Sequence, residues 1–517
     1  MRLGRKFYMG IDQGTTGTTC LLLDEDWNVA AETHLTHRQY YPKPGWVEHD
    51  PEELLSSVRE AAERAMREAG VNASEVVCAG IDNQGETVVA WDRETGTPVC
   101  PAIVWQDRRT SAFTEELPPH MASSIRELTG LEPDAYFGAT KIRWILDNVP
   151  EARTLLKEGR LMAGPSDSWF LWKLTGGRVF ATDYSTASRT MLFNIHTMQW
   201  DDGLLGWFGI PRGILPEVKN SAEVYGSAVF TGADGVPAEV PLSANLVDQE
   251  AALFGQACLS EGMVKTTYGT GCFMLMHTGT RPVSSGAGLL TSIAWKLRDR
   301  AVKFELDGGI YAAGSVITWM KERLKIIESA EDVDRLCASA EDTAGVVFVP
   351  ALTGLAAPWW DAFARGMIIG ITPGTERAHI VRAAMESIAY QVKDILDQME
   401  RDSGIRVRAM RADGGITNSS FLMQFQADIL GIPVDVPVIS ETTALGTAYM
   451  AAYGAGKFTD LSEIEANWKL KKRYEPRMGA EERKERMRRW HDAVGRCRGW
   501  ALNEEGGLEE NTPEGAE

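Results

Sequence analysis

The strongest constraint on this chain's fold is a local pattern that occurs twice. Residues Ile11–Cys20 read "IDQGTTGTTC", with one carboxylate, two glycines and four threonines directly behind the apolar run "FYMG". Past the midpoint, Gly262–Gly279 reads "GMVKTTYGTGCFMLMHTG", again an apolar run, a Gly/Thr turn and a second apolar run. Each copy predicts a β-hairpin. Around the first, the β-rich runs "KFYMGID", "TTCLLLD" and "VAAETHL" follow one another with short connections, which makes Asp12–Thr18 a hairpin tip. A hairpin of this composition near the start of each half predicts two related domains flanking a cleft, in an α/β fold parted near "EAALFGQACLSEG". The division is 1–256, 257–475 and a remainder, 476–517.

The length of 517 residues agrees with more than one domain, and 44% hydrophobic with 24% charged residues is an ordinary globular mix. No apolar run approaches the length needed to span a bilayer. The opening "MRLGRKFYMGIDQG" is too short in its apolar part for a signal peptide and runs straight into a strand. Seven cysteines stand singly at positions 20, 78, 100, 258, 272, 337 and 497, with no C-x-x-C, so neither a disulfide framework nor a zinc site is expected and a cytoplasmic setting is. A net charge of −19 repels nucleic acid and anionic membrane. Any phosphate site must therefore be local, built from backbone donors and a cation.

Local signals place several elements. "DPEELLSSVREAAERAMREAG" predicts a helix with Asp50 as N-cap, Pro51 at the first position and Gly70 closing the end. "VVCAGIDNQGETVVAWD" predicts two strands about a polar turn. "MRADGGITNSSFLMQFQADILG" (Met410–Gly431) predicts strand, Gly-Gly turn and helix. "AEERKERMRRWHDAVGRCRGWALNEE" predicts a charged surface helix, and "GGLEENTPEGAE" has the composition of a disordered acidic tail.

Four polar clusters fall at strand ends or turns, where open α/β sheets bind ligands. They are the Asp12 hairpin, "DNQGET" (Asp82–Thr87), "LVDQEAALFGQ" (Leu246–Gln256), and "TYGTG" (Thr267–Gly271) with "DGGITN" (Asp413–Asn418). Two readings of the first stand side by side. Gly, Asp and Thr build tight turns; they also build a phosphate cradle of backbone N–H groups and hydroxyls, with Asp12 near a cation. Asp248 likewise reads either as a helix N-cap or as a general base facing the cleft. Phosphoryl transfer from ATP needs a metal, backbone donors and a base for the acceptor hydroxyl, and these clusters could supply all three. Trp105 and Tyr136 stand beside polar groups. Core packing is the default for such aromatic residues, and an aromatic wall for a polyol is the alternative.

The segments "GIDQGTT", "YPKPGWVEHDP", "AIVWQDRRT", "TDYSTASRTMLFNIHT", "TYGTGCFMLM", "PALTGLAAPWWD" and "LMQFQADILG" resemble the glycerol-kinase-like members of the FGGY carbohydrate kinase family, from about residue 6 to about 475. Gly366–Glu386, "GMIIGITPGTERAHIVRAAME", is similar to that family's C-terminal signature. The resemblance implies two actin-like, ribonuclease-H-like domains closing on ATP, Mg2+ and a polyol. Residues 1–256 would carry the polyol and phosphate site and residues 257–475 the nucleotide site. It implies Asp248 as the catalytic base and Asp12 as the metal-linked carboxylate. Thr15, Thr16, Gly17 and Thr270 would face the phosphates, and Gly314, Thr318, Gly415 and Ser419 would lie along the nucleotide. Gly85, Glu86, Trp105, Tyr136, Gln249 and Phe273, with Asp248, would line the polyol pocket. Assembly into a homo-oligomer is a further expectation of the resemblance.

The chain departs from the family at several points. Glycerol kinases usually read "NQRET", and Gly85 stands where their arginine contacts substrate. Thr19 replaces another arginine, Ala356 a glycine and Asp307 a glutamate. Glu239 stands where some bacterial relatives carry an arginine used in feedback inhibition. Glycerol is the first expectation for the substrate. A longer polyol such as a tetritol is the alternative, on the ground that Gly85 empties a volume near Glu86. An actin-like or chaperone-type ATPase is the rival from another class. A chaperone would need a further peptide-binding domain, and a filament protein has no use for the "NQGET" and "VDQ" pair.

Overall fold

The computed structural model describes residues 5–501. The acidic stretch 506–517, expected to be disordered, lies outside the described residues. Three strands open the chain: β1 (Phe7–Gln13), β2 (Gly17–Leu23) and β3 (Val29–Thr36). They pair antiparallel, as the short connections require. Helix α1 (Pro51–Ala69) follows, with Asp50 accepting from the Glu52 and Glu53 amides and Gly70 closing it at φ 61°. The crossover through α1 brings β4 (Val76–Asn83) back parallel to β1 on its other side. Strand β5 (Pro237–Val247) then lies parallel to β4. The sheet order is β5-β4-β1-β2-β3, with Gly226–Thr231 as an outer strand beside β5.

The second half repeats this plan. β6 (Val264–Tyr268), β7 (Cys272–Gly279) and β8 (Lys303–Ile310) run antiparallel. β9 (Met410–Asp413) and β10 (Val434–Pro437) add on parallel beside β6. The order β8-β7-β6-β9-β10 matches the first sheet strand for strand, flanked outside by Leu290–Trp295 and Leu470–Tyr474. Each half is therefore the ribonuclease-H-like meander with two parallel additions, and the doubled Gly/Thr hairpins are the β1–β2 and β6–β7 turns.

The run "VVCAGIDNQGETVVAWD" forms two strands, but not a hairpin. β4 already has β1 and β5 on its two edges, so no edge is left for Val88–Asp92, which joins a separate four-stranded sheet. That small sheet anchors the long insertion between β4 and β5.

The halves meet through two helices. α2 (Asp248–Gly255) follows β5, and the later helix α6 (Thr442–Gly454) is buried along nearly its whole length. Between them in the chain lie α3 (Gly314–Glu322), α4 (Arg377–Ser403) and α5 (Ser420–Leu430). Although α6 belongs to the second half by sequence, it lies on the first sheet. A Cβ on Gly10 would stand 1.9 Å from the Ala444 carbonyl oxygen, and one on Gly80 would stand 2.6 Å from that of Thr447. α2 and α6 touch backbone to backbone as well: a Cβ on Gly446 would lie 1.8 Å from the Ala251 oxygen.

The charged helix α7 (Ala480–Cys497) is less superficial than its composition suggests. Met487, Trp490, Ala493, Val494 and Cys497 are buried at helical spacing. The fully buried Trp490 donates its indole N–H to Asp394 Oδ2 at 2.7 Å. Among the described residues no helix is long and apolar enough to cross a membrane.

Candidate active site

Strand register assembles a group of carboxylates at one end of the first sheet. Asp12 on β1 lies beside Asp82 on β4, and Asp82 is paired in register with Leu246 on β5. Asp248 begins α2 immediately past the end of β5. Asp82 is fully buried; one oxygen accepts from Thr447 of α6, and Oδ1 has no hydrogen-bond partner. Burial, with the Asp12 charge next, pushes the Asp82 carboxyl well above its usual range. Burial likewise raises Asp12 to about 6, against the opposing hydrogen bond with Asp82 and the nearby His34. Burial thus disfavours the charged form of both carboxyls.

Asp248 does not cap its helix. The N-cap is Val247, and no side-chain cap bond is made there. The N-cap reading of Asp248 therefore fails. Burial raises its carboxyl to about 7, helped by the charges of Asp12 and Glu86 and opposed by the Lys265 ammonium.

The β1–β2 turn is closed by the Gly14 amide donating to the Gly17 oxygen at 3.0 Å. Thr15 is held on two sides: its hydroxyl accepts from Trp105 Nε1 at 2.9 Å, and its carbonyl from His37 Nε2 at 2.9 Å. Thr16 is exposed at the tip. Gly17 must be small, because a Cβ there would lie 2.6 Å from both His34 Cε1 and the Leu35 oxygen. Thr19 pairs with His34 Nδ1 at 3.0 Å, on the far side of β2's start.

Trp105 and Tyr136 meet edge to face, their ring centroids 5.5 Å apart. The buried Lys141 ammonium fixes the Tyr136 loop by donating to the carbonyls of Ala135 (2.9 Å), Tyr136 and Phe137 (3.2 Å). Glu86 accepts from Arg189 Nε at 2.5 Å. Gln249 accepts from Lys265 Nζ at 2.6 Å, which ties α2 to β6 of the other half. Phe273 is half-buried on β7 opposite Gly309.

On the second half, the Thr270 turn abuts the start of α3. The Ala313 and Ser315 amides donate to the Thr270 oxygen at 3.1 and 3.0 Å, and the Gly314 amide to Gly269 at 3.0 Å. A Cβ on Gly314 would strike the Gly269 oxygen at 2.6 Å. Thr318 is exposed one turn further along α3. Gly415 faces open space, with nothing within 4 Å of where a Cβ would stand. Ser419 caps α5 by accepting from the Leu422 amide at 3.2 Å, and its hydroxyl also donates to Asp334. A Cβ on Gly314 would also lie 3.5 Å from Ile416 Cδ1, which puts the start of α3 against the turn after β9, while Ser419 is already engaged as a cap.

Arg189 and Lys265 are the members that local sequence signals do not single out, and Asp82 is visible only as part of a polar cluster with no role of its own. All three lie inside recognisable motifs, "TDYSTASRT", "GMVKTTYGTG" and "DNQGET", but their place in the site depends on partners far away in sequence. Among the described residues no three His, Cys, Asp or Glu side chains form a metal cage. Two carboxylates with an unpartnered buried oxygen suit Mg2+, which keeps much of its water and takes the rest of its ligands from phosphate.

Known proteins resemble this chain along most of its length. Residues 7–255 match the N-terminal domain model of the FGGY family of carbohydrate kinases, and residues 264–455 match its C-terminal domain model. The chain is 50% identical over 496 residues to glycerol kinase 2 of Thermotoga maritima, covering 96% of this chain and 99% of that one. It is 48% identical over 499 residues to glycerol kinase of Pseudothermotoga lettingae, with 96% and 99% covered. Among solved structures, Plasmodium falciparum glycerol kinase with ADP superposes with a TM-score of 0.88 at 34% identity, covering 95% of this chain and 98% of that one. A xylulose kinase from Lactobacillus acidophilus shares the fold, with a TM-score of 0.82 at 19% identity and 98% and 99% covered. The chain belongs to the FGGY family of carbohydrate kinases.

Proposed function

We propose that this enzyme transfers the terminal phosphoryl group of ATP to a terminal hydroxyl of glycerol, forming glycerol 3-phosphate. The observation that carries the reading is Asp248: a carboxylate that caps nothing, titrates near 7, and sits between the Asp12–Asp82 pair and the Glu86 side of the pocket. A base of that strength accepts the acceptor hydroxyl's proton as the oxygen attacks phosphorus. Glu86, Trp105, Tyr136, Gln249 and Phe273 hold the polyol, its C–H faces against rings and its hydroxyls on polar groups. The Thr15–Gly17 turn and Thr270 cradle the phosphates, and Gly314, Thr318, Gly415 and Ser419 border the nucleotide. Mg2+, held on the Asp12 side, would neutralise charge between the β- and γ-phosphates. A cation held there would favour the ionised form of both carboxyls, which burial disfavours. The relatives named glycerol kinase, at about half identity over nearly their full length, support glycerol as the acceptor.

The tetritol alternative loses its physical ground. A Cβ on Gly85 would lie 2.8 Å from Val247 Cγ2 and 3.3 Å from Arg189 Cγ, so the glycine leaves no void in that direction.

Asp248→Asn tests the reading. The amide keeps the shape and cannot take the proton, so glycerol-dependent ADP release should fall by about 10² to 10⁴ while ATP affinity holds. Retention of most of kcat would remove Asp248 from the chemistry. ATP turnover indifferent to added glycerol would point to an ATPase instead.

A further inference from the structure

Position 85 and Arg189 share one space. Gly85 is buried in the turn after β4, and Arg189 Cγ passes 3.3 Å from where its Cβ would stand. Arg189 follows the short helix Tyr184–Ser188, and its side chain is 5% exposed. Its anchors come from both halves of the molecule. Nε donates to Glu86 Oε1 at 2.5 Å, Nη1 donates to Ser292 Oγ at 2.8 Å, and Nη1 lies 3.2 Å from Asp307 Oδ2. The guanidinium carbon stands 5.8 Å from the Tyr136 ring centre and 5.6 Å from that of Phe137. Nη2 makes no hydrogen bond to any described residue.

A guanidinium is a rigid fork of five donors. Here two of its nitrogens are fixed by carboxylates and a hydroxyl, so the third points in a direction set by the protein. It stands beside Glu86 and Tyr136, both residues of the polyol pocket. A buried cationic donor left unpaired is costly unless something else pairs with it.

We propose that Arg189 is a specificity-determining residue whose Nη2 donates to a hydroxyl of the acceptor, with residue 85 kept as glycine to give its side chain passage. The proposal rests on the polyol-kinase reading of the site. Arg189 would thus supply from a different strand connection the charged contact that position 85 lacks.

The test uses glycerol, propane-1,2-diol and propane-1,3-diol, each diol lacking one glycerol hydroxyl. Arg189→Gln should lower kcat/KM for glycerol about 10- to 100-fold, chiefly through KM, as expected for loss of a hydrogen bond to a charged donor. The KM for ATP should not move. The preference for glycerol over at least one diol should collapse, because that diol never used the contact. Arg189→Lys should restore part of the preference. A merely structural arginine would instead depress all three acceptors by one factor and leave the ratios intact, and that result overturns the proposal. Should Arg189→Gln fail to fold, Gly85→Ala provides the second variant, since its methyl displaces the Arg189 stem. It should shrink the same ratio with ATP affinity retained, and an unchanged ratio there counts equally against the proposal. Wild-type enzyme without glycerol-dependent ADP release would sink the kinase reading itself; active wild type with unchanged ratios in the variants would sink only the role of Arg189.

Discussion

At the scale of single residues, the decisive quantity is the protonation state of Asp248. Its carboxyl is raised from 3.8 to about 7, with burial the main cause and the Lys265 ammonium holding it back. The base is then switched on across the neutral range, so kcat/KM for glycerol should rise with pH along a limb centred near 7. Lys265 favours the charged form. Lys265→Met should therefore move the limb to higher pH and lower the rate at neutral pH, read from kcat/KM profiles of both proteins. A limb that stays in place would confine Lys265 to holding Gln249, to which it donates at 2.6 Å. The shift also carries a stability consequence. A carboxyl whose folded value exceeds its unfolded one contributes fully only below about 3.8, and that contribution is lost as pH rises through 7. Asp248→Asn should accordingly melt higher than wild type at pH 8 and show little gain at pH 4, the usual cost of a functional group held in an unfavourable setting.

At the scale of elements, the crossing of α2 and α6 joins the halves with no side chain between the backbones. Gly446→Ala puts a methyl 1.8 Å from the Ala251 oxygen, and backbone cannot turn aside as a side-chain tip can. The helices must separate, at a cost of about 1–3 kcal/mol for overpacking. The expected outcome is a lowered Tm together with weaker coupling of glycerol and ATP binding. A variant as stable as wild type would mean the crossing adjusts freely. None of this was visible in "TTALGTAYMAAYG", where Gly446 looks like a weak point in a helix. The hairpins were legible because their signals are local: apolar runs, Gly/Thr turns, short connections. The pairing of β4 was not, since nothing within "DNQGET" says that both edges of the preceding strand are already occupied. α7 misled in a related way. Its charges hid the buried stripe from Met487 to Cys497, because long basic side chains and a docked face coexist on one helix. Of the site, the strand-end carboxylates and the turn threonines could be read in place. Arg189 and Lys265 could not, because Arg189 meets Glu86 across 103 residues and Lys265 reaches Gln249 across the domain boundary.

At the scale of the whole molecule, a second buried acid pair, unlike Asp12 and Asp82 within the first sheet, spans the two halves. Glu250 on α2 and Glu305 on β8 are both fully buried, and both Glu250 oxygens and one Glu305 oxygen have no hydrogen-bond partner. Burial raises both. Glu305 reaches about 8, with Asp307 adding to the rise and Arg189 and Lys265 opposing it, while Glu250 is pushed well above its usual range by burial and by Glu305 itself. Two desolvated carboxyls that face each other are least costly while protonated, so this link between the halves weakens as they ionise. In the unfolded chain both titrate near 4.5. The link's contribution is complete below that value and is lost as pH rises through about 8. Glu250→Gln replaces a titrating carboxyl with an amide that is neutral at every pH and relieves Glu305 of a like charge. The variant and wild type should melt together near pH 5, and the variant should melt progressively higher between pH 6 and 9, by roughly 1 °C for each kcal/mol recovered in a chain of 517 residues. The comparison cancels titrating groups remote from residue 250 and leaves Glu250 with its charged neighbours Glu305, Arg189, Asp248 and Asp307. A Tm difference that does not change with pH would show that Glu250 and Glu305 do not titrate as a destabilising pair, and would leave the contact between the halves to links such as Lys265 to Gln249 and Arg189 to Ser292.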